Sequence, residues 1–383
     1  MSKTFTPALS TRLDGVGEYY FSKKLREIDN LRKEGKTIIS LGIGSPDMPP
    51  HPSVMERLAA ESSKPNTHGY QSYRGAEQLR VAFAEWYNRM FGVELNPDTE
   101  IMPLIGSKEG IMHIAMTYLN EGDRVLVPNP GYPTYTSAVT LAGGVATPYN
   151  LTAEGGWLPG FENIDTQGVK LMIINYPHMP TGSVATLADL ERIVDFCRKH
   201  SILLLNDNPY GFIRNNNPVS LLQVEGAMDI AMELNSLSKS HNMAGWRIGM
   251  LAASEQRITE ILRFKSNMDS GMFLPLQLAA ATALGLGEQW YKSLNDEYYA
   301  REELGKAIFD ALGIEYAENQ AGLFLWGRLP EGENCYDFCD RLLYDKGVFL
   351  TPGGIFGSEG NRYMRLSLCA PQQVLKTVLE ILR

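Results

Sequence analysis

Hydrophobic and polar positions along this chain follow two alternating rhythms. Short apolar runs bounded by Gly, Pro, Asn and Asp recur at Ile38–Ile43, Ile101–Ile105, Val125–Val127, Lys170–Asn175 and Ile202–Leu205. Runs of that length and punctuation predict buried strands. Between them the spacing turns helical. Tyr19, Tyr20 and Phe21 followed by Lys23–Lys33 predict a short amphipathic helix, and Gly75–Met90 places Leu79, Phe83 and Trp86 on one face. An apolar helix is expected over Ile111–Leu119, and Thr186-Leu187-Ala188-Asp189 caps another that ends near His200. Strand, helix and strand joined by short connections predict an α/β fold with a doubly wound, mostly parallel sheet. From about Leu284 the texture changes. A long helical pattern (Trp290–Leu312) precedes short strands at Leu323–Trp326, Val348–Leu350 and Met364–Leu368 and a terminal helix at Pro371–Leu382, which reads as a smaller α+β domain. The expected division is an arm at 1–40 that joins part of the small domain, a large domain at 41–283 and the small domain at 284–383. No internal repeat, low-complexity tract or flexible linker interrupts it.

Composition acts mainly by exclusion. With 383 residues, 44% hydrophobic and 21% charged, the chain reads as a soluble enzyme with a large core. A net charge of −9 argues against nucleic acid or an acidic membrane as the main partner. The opening Met-Ser-Lys-Thr-Phe-Thr-Pro-Ala has no apolar core of a secretory signal. No apolar run approaches the ~20 residues of a membrane span, so the cytoplasm is the expected compartment. Cys197, Cys335, Cys339 and Cys369 are too scattered for a disulfide framework. Cys335 and Cys339 are spaced like half a metal site but have no matching partner pair, so they are read as helix-face packing and no metal is expected.

Candidate chemistry concentrates in Asn235–Gly249. Lys239 directly follows Ser236-x-Ser238 and precedes Arg247, with Gly245 and Gly249 beside it. A lysine that forms a Schiff base must be held and partly desolvated so that its amine is neutral often enough to attack a carbonyl. Ser236, Ser238 and the planar fork of Arg247 suit a phosphate, and the two glycines let the backbone pass close to it. An anionic cofactor bearing an aldehyde would satisfy all of them. The same Ser-x-x-Lys also fits the nucleophile of penicillin-recognising acyltransferases, but their Lys-Thr-Gly partner is absent. The six histidines include no His-Glu-x-x-His for a zinc hydrolase. Elsewhere, Gly106-Ser107-Lys108-Glu109-Gly110 lies between a strand and a helix, where free backbone N–H groups meet anions. Prolines on both sides fix the loop around Tyr132. Asp207 and Tyr210 follow a buried strand, the place where functional loops of such sheets lie.

The segment Ser-x-Ser-Lys-x7-Arg-x-Gly resembles the cofactor-lysine segment of the class I/II aminotransferases, which are fold-type I pyridoxal phosphate enzymes. Gly-Ser-x-Glu-Gly and the carboxy-terminal Pro352-Gly353-Gly354-x-Phe356-Gly357 with Arg-x-Ser agree, and the resemblance runs from about Ile38 to the end. The wording Leu-Ile-Gly-Ser-Lys-Glu-Gly and Pro-Gly-Tyr-Pro-x-Tyr is similar to the LL-diaminopimelate aminotransferase-like branch. The resemblance implies pyridoxal 5'-phosphate on Lys239, with that lysine acting as general base and then acid. It assigns the phosphate to Ser107, Lys108, Ser236, Ser238 and Arg247. Tyr70, in Tyr70-x4-Gly75-x3-Leu79-Arg80, would reach the phosphate of the neighbouring subunit in a homodimer with shared active sites. Tyr132 would stack on the pyridine ring, Asp207 keep its nitrogen protonated, and Tyr210 donate to its phenolate oxygen. Arg365 would clamp the substrate α-carboxylate bidentately near Gly44. The substrates would be an amino acid and a 2-oxo acid. A C–S lyase or a cyclising synthase shares this residue set and remains an alternative, whereas the first 40 residues leave no room for the helix-turn-helix of a regulator. Ser266–Pro275, where a dicarboxylate-specific member places an arginine, has none, which makes aspartate a less favoured donor.

One position departs from the family. The usual Asn before Pro-Thr-Gly, a donor to the ring oxygen, is Met179, preceded by His178. Methionine cannot donate, so a weaker hold on the phenolate and a raised Schiff-base pKa are expected unless His178 supplies the bond. Met179→Asn is therefore expected to lower the pH at which the visible absorbance of the cofactor-loaded protein titrates. Equal midpoints in a spectrophotometric titration of the two proteins would sink the idea.

Overall fold

A computed structural model describes residues 7–18 and 20–383; the first six residues and Tyr19, cited above in the leader and helix readings, lie outside the described residues. The arm forms α1 (Tyr20–Lys33), which buries Lys24, Ile28 and Leu31. The strand expected over Ile38–Ile43 shrinks to β1 (Ile39–Ser40), because its one partner is equally short and the chain beyond it runs on as loop. There follow α2 (Pro52–Ser62), α3 (Glu77–Phe91), β2 (Ile101–Leu104), α4 (Ser107–Tyr118), β3 (Arg124–Asn129), α5 (Pro133–Leu141) and β4 (Val145–Asn150). Next come β5 (Val169–Ile174), α6 (Leu187–Lys199), β6 (Leu203–Asp207), β7 (Ala231–Ser236), the four-residue α7 (Leu237–Ser240) and β8 (Gly249–Ala253). The capping box read from Thr186 and Asp189 starts α6, with both reciprocal bonds formed.

These strands form one seven-stranded sheet in the order β2-β8-β7-β6-β5-β3-β4. All run parallel except β8, which lies antiparallel to both β2 and β7. Successive side chains point to opposite faces, and both faces are covered. Met172 and Ile174 enter one core while Leu171 and Ile173 enter another. That is why the strands read as unbroken apolar runs.

The rest of the chain forms α8 (Glu255–Lys265), α9 (Leu274–Leu284), α10 (Glu288–Ala311), β9 (Glu315–Tyr316), β10 (Phe324–Arg328), α11 (Cys335–Lys346), β11 (Val348–Phe349), β12 (Thr351–Pro352), β13 (Tyr363–Ser367) and α12 (Gln372–Leu382). Strands β12-β13-β10-β9 make an antiparallel sheet, and β11 pairs parallel with β1. A third core joins Ile28, Leu31, Ile38 and Leu41 of the arm to Leu343, Leu366, Leu375 and Val378. Cys335 and Cys339 are buried in that core on one face of α11.

Several elements went unread in the sequence, among them α2, β7, β8, α8 and α9, and two of them show why. Edge strand β4 carries Val145 at 49% exposure and has no apolar run. Helix α5 starts with proline at its first position, and its Thr- and Ser-rich sequence resembles a loop.

Candidate active site

Parallel strands end on one side of the large sheet, and there the chain gathers its chemistry around a cavity of about 460 Å³. Strand β7 ends at Ser236, which caps α7: its hydroxyl oxygen accepts from the Ser238 N–H at 3.2 Å and lies 3.0 Å from the Ile248 carbonyl. One residue further, Lys239 points its ammonium into the cavity, where it donates to the Gly44 carbonyl. Burial holds the Lys239 pKa below the ordinary 10.5. The charges of Arg365 and Arg247 act in the same direction and Cys369 opposes them.

The return into β8 brings Arg247 back over α7. Its backbone adopts a left-handed φ of 56°, and Nη1 donates to Ser238 Oγ at 3.2 Å and to the Ala244 carbonyl at 3.0 Å. Helix α4 begins at Ser107, four residues earlier than its apolar face suggested, so Ser107 and Lys108 lie in the first turn, where the helix dipole favours an anion. The close backbone approach occurs at Gly106 and Gly249 and not at Gly245. A Cβ on Gly106 would fall 2.1 Å from Arg247 Nη2, one on Gly249 would fall 2.7 Å from the Ser107 amide, and Gly245 has nothing within 4 Å.

Asp207 closes β6. Its Oδ2 accepts from the Tyr135 hydroxyl at 2.9 Å, and Oδ1 is buried without a hydrogen-bond partner. Burial pushes this carboxyl up to about 6, with the hydroxyls of Tyr135 and Ser107 pulling the other way. The sequence reading missed Tyr135 as an orienting group. Its one signal was the three-residue spacing from Tyr132, which places both on one side of α5, their rings 5.6 Å apart edge to face. Tyr210 lines the same wall, its ring edge-on to Phe324 at 6.0 Å.

Arg365 comes from β13, paired with β10 and β12, and is buried rather than a surface arginine of an edge strand. Nη2 donates to the Gly42 carbonyl at 2.8 Å, and Nη1 lies 3.2 Å from Met179 Sδ. The loop after β1 passes so close that a Cβ on Gly44 would fall 2.1 Å from the Phe324 ring. Thus Gly44, Ser107, Lys108, Tyr132, Asp207, Tyr210, Ser236, Ser238, Lys239, Arg247 and Arg365 share one cavity. Tyr70 does not; it is 95% exposed on the outside of the chain. His178 supplies no substitute donor beside Met179. It is absent from the lining, its Nδ1 lies 2.8 Å from Thr181 Oγ1, and burial holds its pKa at about 3. Asn175 does line the wall, but its amide is used internally: Oδ1 accepts from the Met179 N–H at 2.8 Å and Nδ2 donates to the Asp207 carbonyl.

Pyridoxal 5'-phosphate fits this donor set. A helix start flanked by cations suits its phosphate, the Oδ1 of Asp207 lacks a partner and suits a protonated ring nitrogen, and a buried amine faces the space between them. Fold and cavity together define a fold-type I pyridoxal phosphate-dependent enzyme. More narrowly, the chain belongs to the aminotransferase class I and II family, whose sequence model matches residues 36–382. It is 38% identical to the LL-diaminopimelate aminotransferase of Halothermothrix orenii, with 97% of each chain covered. It is 40% identical to the LL-diaminopimelate aminotransferase of Dehalococcoides mccartyi, with 96% of each covered. A substrate-bound structure of BacF from Bacillus subtilis superposes with a TM-score of 0.94 at 34% identity, over 98% of this chain and 97% of that one. The enzyme is therefore a pyridoxal phosphate-dependent aminotransferase that moves amino groups between an amino acid and a 2-oxo acid.

The raised carboxyl of Asp207 has a measurable consequence. Its pKa is about 6 in the fold against an ordinary 3.8. Ionising it therefore costs the cofactor-free fold nothing below about pH 4, progressively more up to about pH 6, and about 3 kcal/mol above that. Asp207→Asn, which keeps an acceptor for Tyr135, is expected to stabilise the cofactor-free protein by that order above about pH 6 and to weaken cofactor retention. Denaturant unfolding at pH 4 and pH 7.5 checks this, and an equal difference at both would refute it.

Proposed function

We propose that Lys239 is the cofactor-carrying lysine and the proton-transfer group of this aminotransferase, in a homodimer whose two active sites are shared. The observation that carries the reading is the placement of a buried, pKa-lowered Lys239 in one cavity with Asp207 and Arg365. When bound, pyridoxal phosphate supplies an aldehyde that takes up the substrate amine and a ring that draws electrons from its Cα–H bond. Ser107, Lys108, Ser236, Ser238, Arg247 and the amides at the start of α4 hold the phosphate. Asp207, oriented by Tyr135, would hold the ring nitrogen, and Tyr132 and Tyr210 would hold the ring and its oxygen. Arg365 grips the substrate α-carboxylate beside Gly44, which fixes which bond at Cα faces Lys239. The amine of Lys239 would take the proton from Cα as a base and then, as an acid, give it to the carbon of the cofactor's aldehyde instead of back to Cα.

An outer patch supports the dimer. Tyr70, Tyr73, Met268 and Phe273 are exposed there, and the Gln71–Gly271 bridge and the His68–Phe273 ring contact at 5.6 Å hold their two segments together. Apolar side chains gathered in this way mark an interaction surface, and a second copy would bring Tyr70 to its neighbour's phosphate. The reading includes a large unit at 41–283, a small one at 284–383 joined by the arm, and a cytoplasmic enzyme; among the described residues no helix is long and apolar enough to cross a membrane. The names of the two LL-diaminopimelate aminotransferases make LL-diaminopimelate one candidate donor.

Transamination itself is tested by giving the loaded protein an amino acid and no oxo acid. Loss of the visible band with release of the matching 2-oxo acid is expected. Continuous release of ammonia with the band intact would point to a lyase. Site sharing is tested with two defective chains, Lys239→Ala and Tyr70→Ala. Mixed and refolded together, they are expected to regain about a quarter of native activity, because half of random pairs carry one intact site of two. Activity no higher than that of the parents would place Tyr70 outside the partner's site.

A further inference from the structure

We propose that this site receives an amino acid with a bulky uncharged side chain, aromatic or large aliphatic, and that Phe21 and Met179 help to set that preference. The inference rests on the aminotransferase reading and departs from the substrate for which the LL-diaminopimelate aminotransferases are named. Around Arg365, where that reading seats the α-carboxylate, the wall consists of Phe21, Leu25, Ile43, Phe324, Phe356 and Met179. The guanidinium carbon lies 3.9 Å from the Phe324 ring centroid, 4.7 Å from Phe356 and 5.6 Å from Phe21. A side chain leaving a substrate anchored at Arg365 therefore meets rings and aliphatic groups.

Charge in the cavity lies elsewhere. Of its lining cations, Lys108 and Arg247 lie at the α4 end with the serines, Lys239 is the reacting amine, and Arg365 serves the α-carboxylate. Its one lining carboxylate is Asp207, set against the cofactor ring. A second carboxylate or ammonium on the substrate, directed at Phe21, Leu25 and Ile43, would be buried with no counter-charge among the described lining residues, which is strongly unfavourable. The segment Ser266–Pro275 offers no cation, and its one acid, Asp269, is held by Lys265 at 2.6 Å. By contrast, an aromatic or leucine-sized side chain in this wall gains roughly ten- to a hundredfold in affinity from leaving water.

Two features shape the wall. Phe21 and Leu25 are one helical step apart on α1 and both line the cavity, while Ile28 and Leu31 of the same helix bury themselves in the core beneath Arg365. Met179 replaces a polar amide with an unbranched thioether, which adapts to side chains of different shape.

Ligand binding without turnover gives the first test. Native cofactor-loaded protein is titrated calorimetrically with 3-phenylpropanoate and with glutarate, acids that lack the amine and cannot react. At least roughly tenfold tighter binding of 3-phenylpropanoate is expected, reduced in Phe21→Ala and largely restored in Phe21→Leu. Single-turnover bleaching of the visible band then compares L-phenylalanine and L-leucine with LL-diaminopimelate and L-glutamate. Faster conversion of the first pair is expected, and in Phe21→Ala a raised KM for L-phenylalanine with little change in kcat. Glutarate binding as tightly as 3-phenylpropanoate, or a charged donor converting as fast as L-phenylalanine, overturns the proposal. If no donor converts, the aminotransferase reading fails, and the pair of acids alone decides the nature of the wall.

Discussion

The site depends on one close backbone approach. Strand β8 runs antiparallel between β2 and β7, and at its first residue, Gly249, the chain passes so near both neighbours that a Cβ would fall 2.7 Å from the Ser107 amide and 2.8 Å from the Asn235 carbonyl. Real Cβ atoms do not tolerate such distances from backbone. The glycine therefore permits the end of β7, which leads to Lys239, to lie against the start of α4, whose amides suit an anion. Gly106 does the same for the Arg247 guanidinium, which crosses 2.1 Å from where its Cβ would be. Lysine, arginine and helix start are assembled by two missing side chains.

Electrostatics around that assembly suits a ligand that meets both a lysine and a carboxyl. Lys239 has its pKa held down and Asp207 has its pKa held up, each chiefly because burial disfavours its charged form. Both groups are thus displaced towards neutrality. A ligand bringing a cationic ring nitrogen to Asp207 reverses the second shift, and one taking the lysine into a carbon–nitrogen bond removes the first charge altogether. Such opposed perturbations in one cavity are characteristic of function rather than of a structural ion pair. Glu233 makes the contrast clear. It is equally buried, but it accepts from Tyr87, Ser220, Asn206 and the Leu221 amide at 2.7–2.9 Å, a closed internal network with nothing left over for a ligand.

Much of this was legible in the residues, for definite reasons. Strands buried on both faces need apolar side chains at every position, so β2, β3, β5 and β6 stand out, and the lysine segment carries its serines and arginine within one short stretch of sequence. Contacts made at long range were not legible. Tyr135 meets Asp207 across 72 positions, and Glu233 finds Tyr87 across 146. Strand β4 escaped notice because an edge strand needs no continuous apolar run, and β1 was overread because apolar residues there serve a core instead of a ladder. The burial of Arg365 could not be foreseen either, since an arginine in a short strand looks the same whether it faces water or a cavity.

The arm shows why the wall and the carboxylate clamp act together. Lys24 of α1 reaches Asp340 of α11 at 3.0 Å, Tyr20 meets the Tyr336 ring at 6.4 Å, and Ile28 and Leu31 lie in the core that also holds Leu366, next to Arg365 on β13. Phe21 is therefore fixed to the same body as Arg365, while Lys239, Asp207 and the start of α4 belong to the large sheet. In the proposed reading, the side of the cavity formed by α1 and β13 receives the carboxylate and the side chain, and the large sheet carries the groups that suit the cofactor. A side chain that packs against Phe21 and Leu25 would, in the same reading, leave water together with a carboxylate held at Arg365. In that reading the wall acts on affinity, because α1, which carries Phe21, and β13, which carries Arg365, pack into one core.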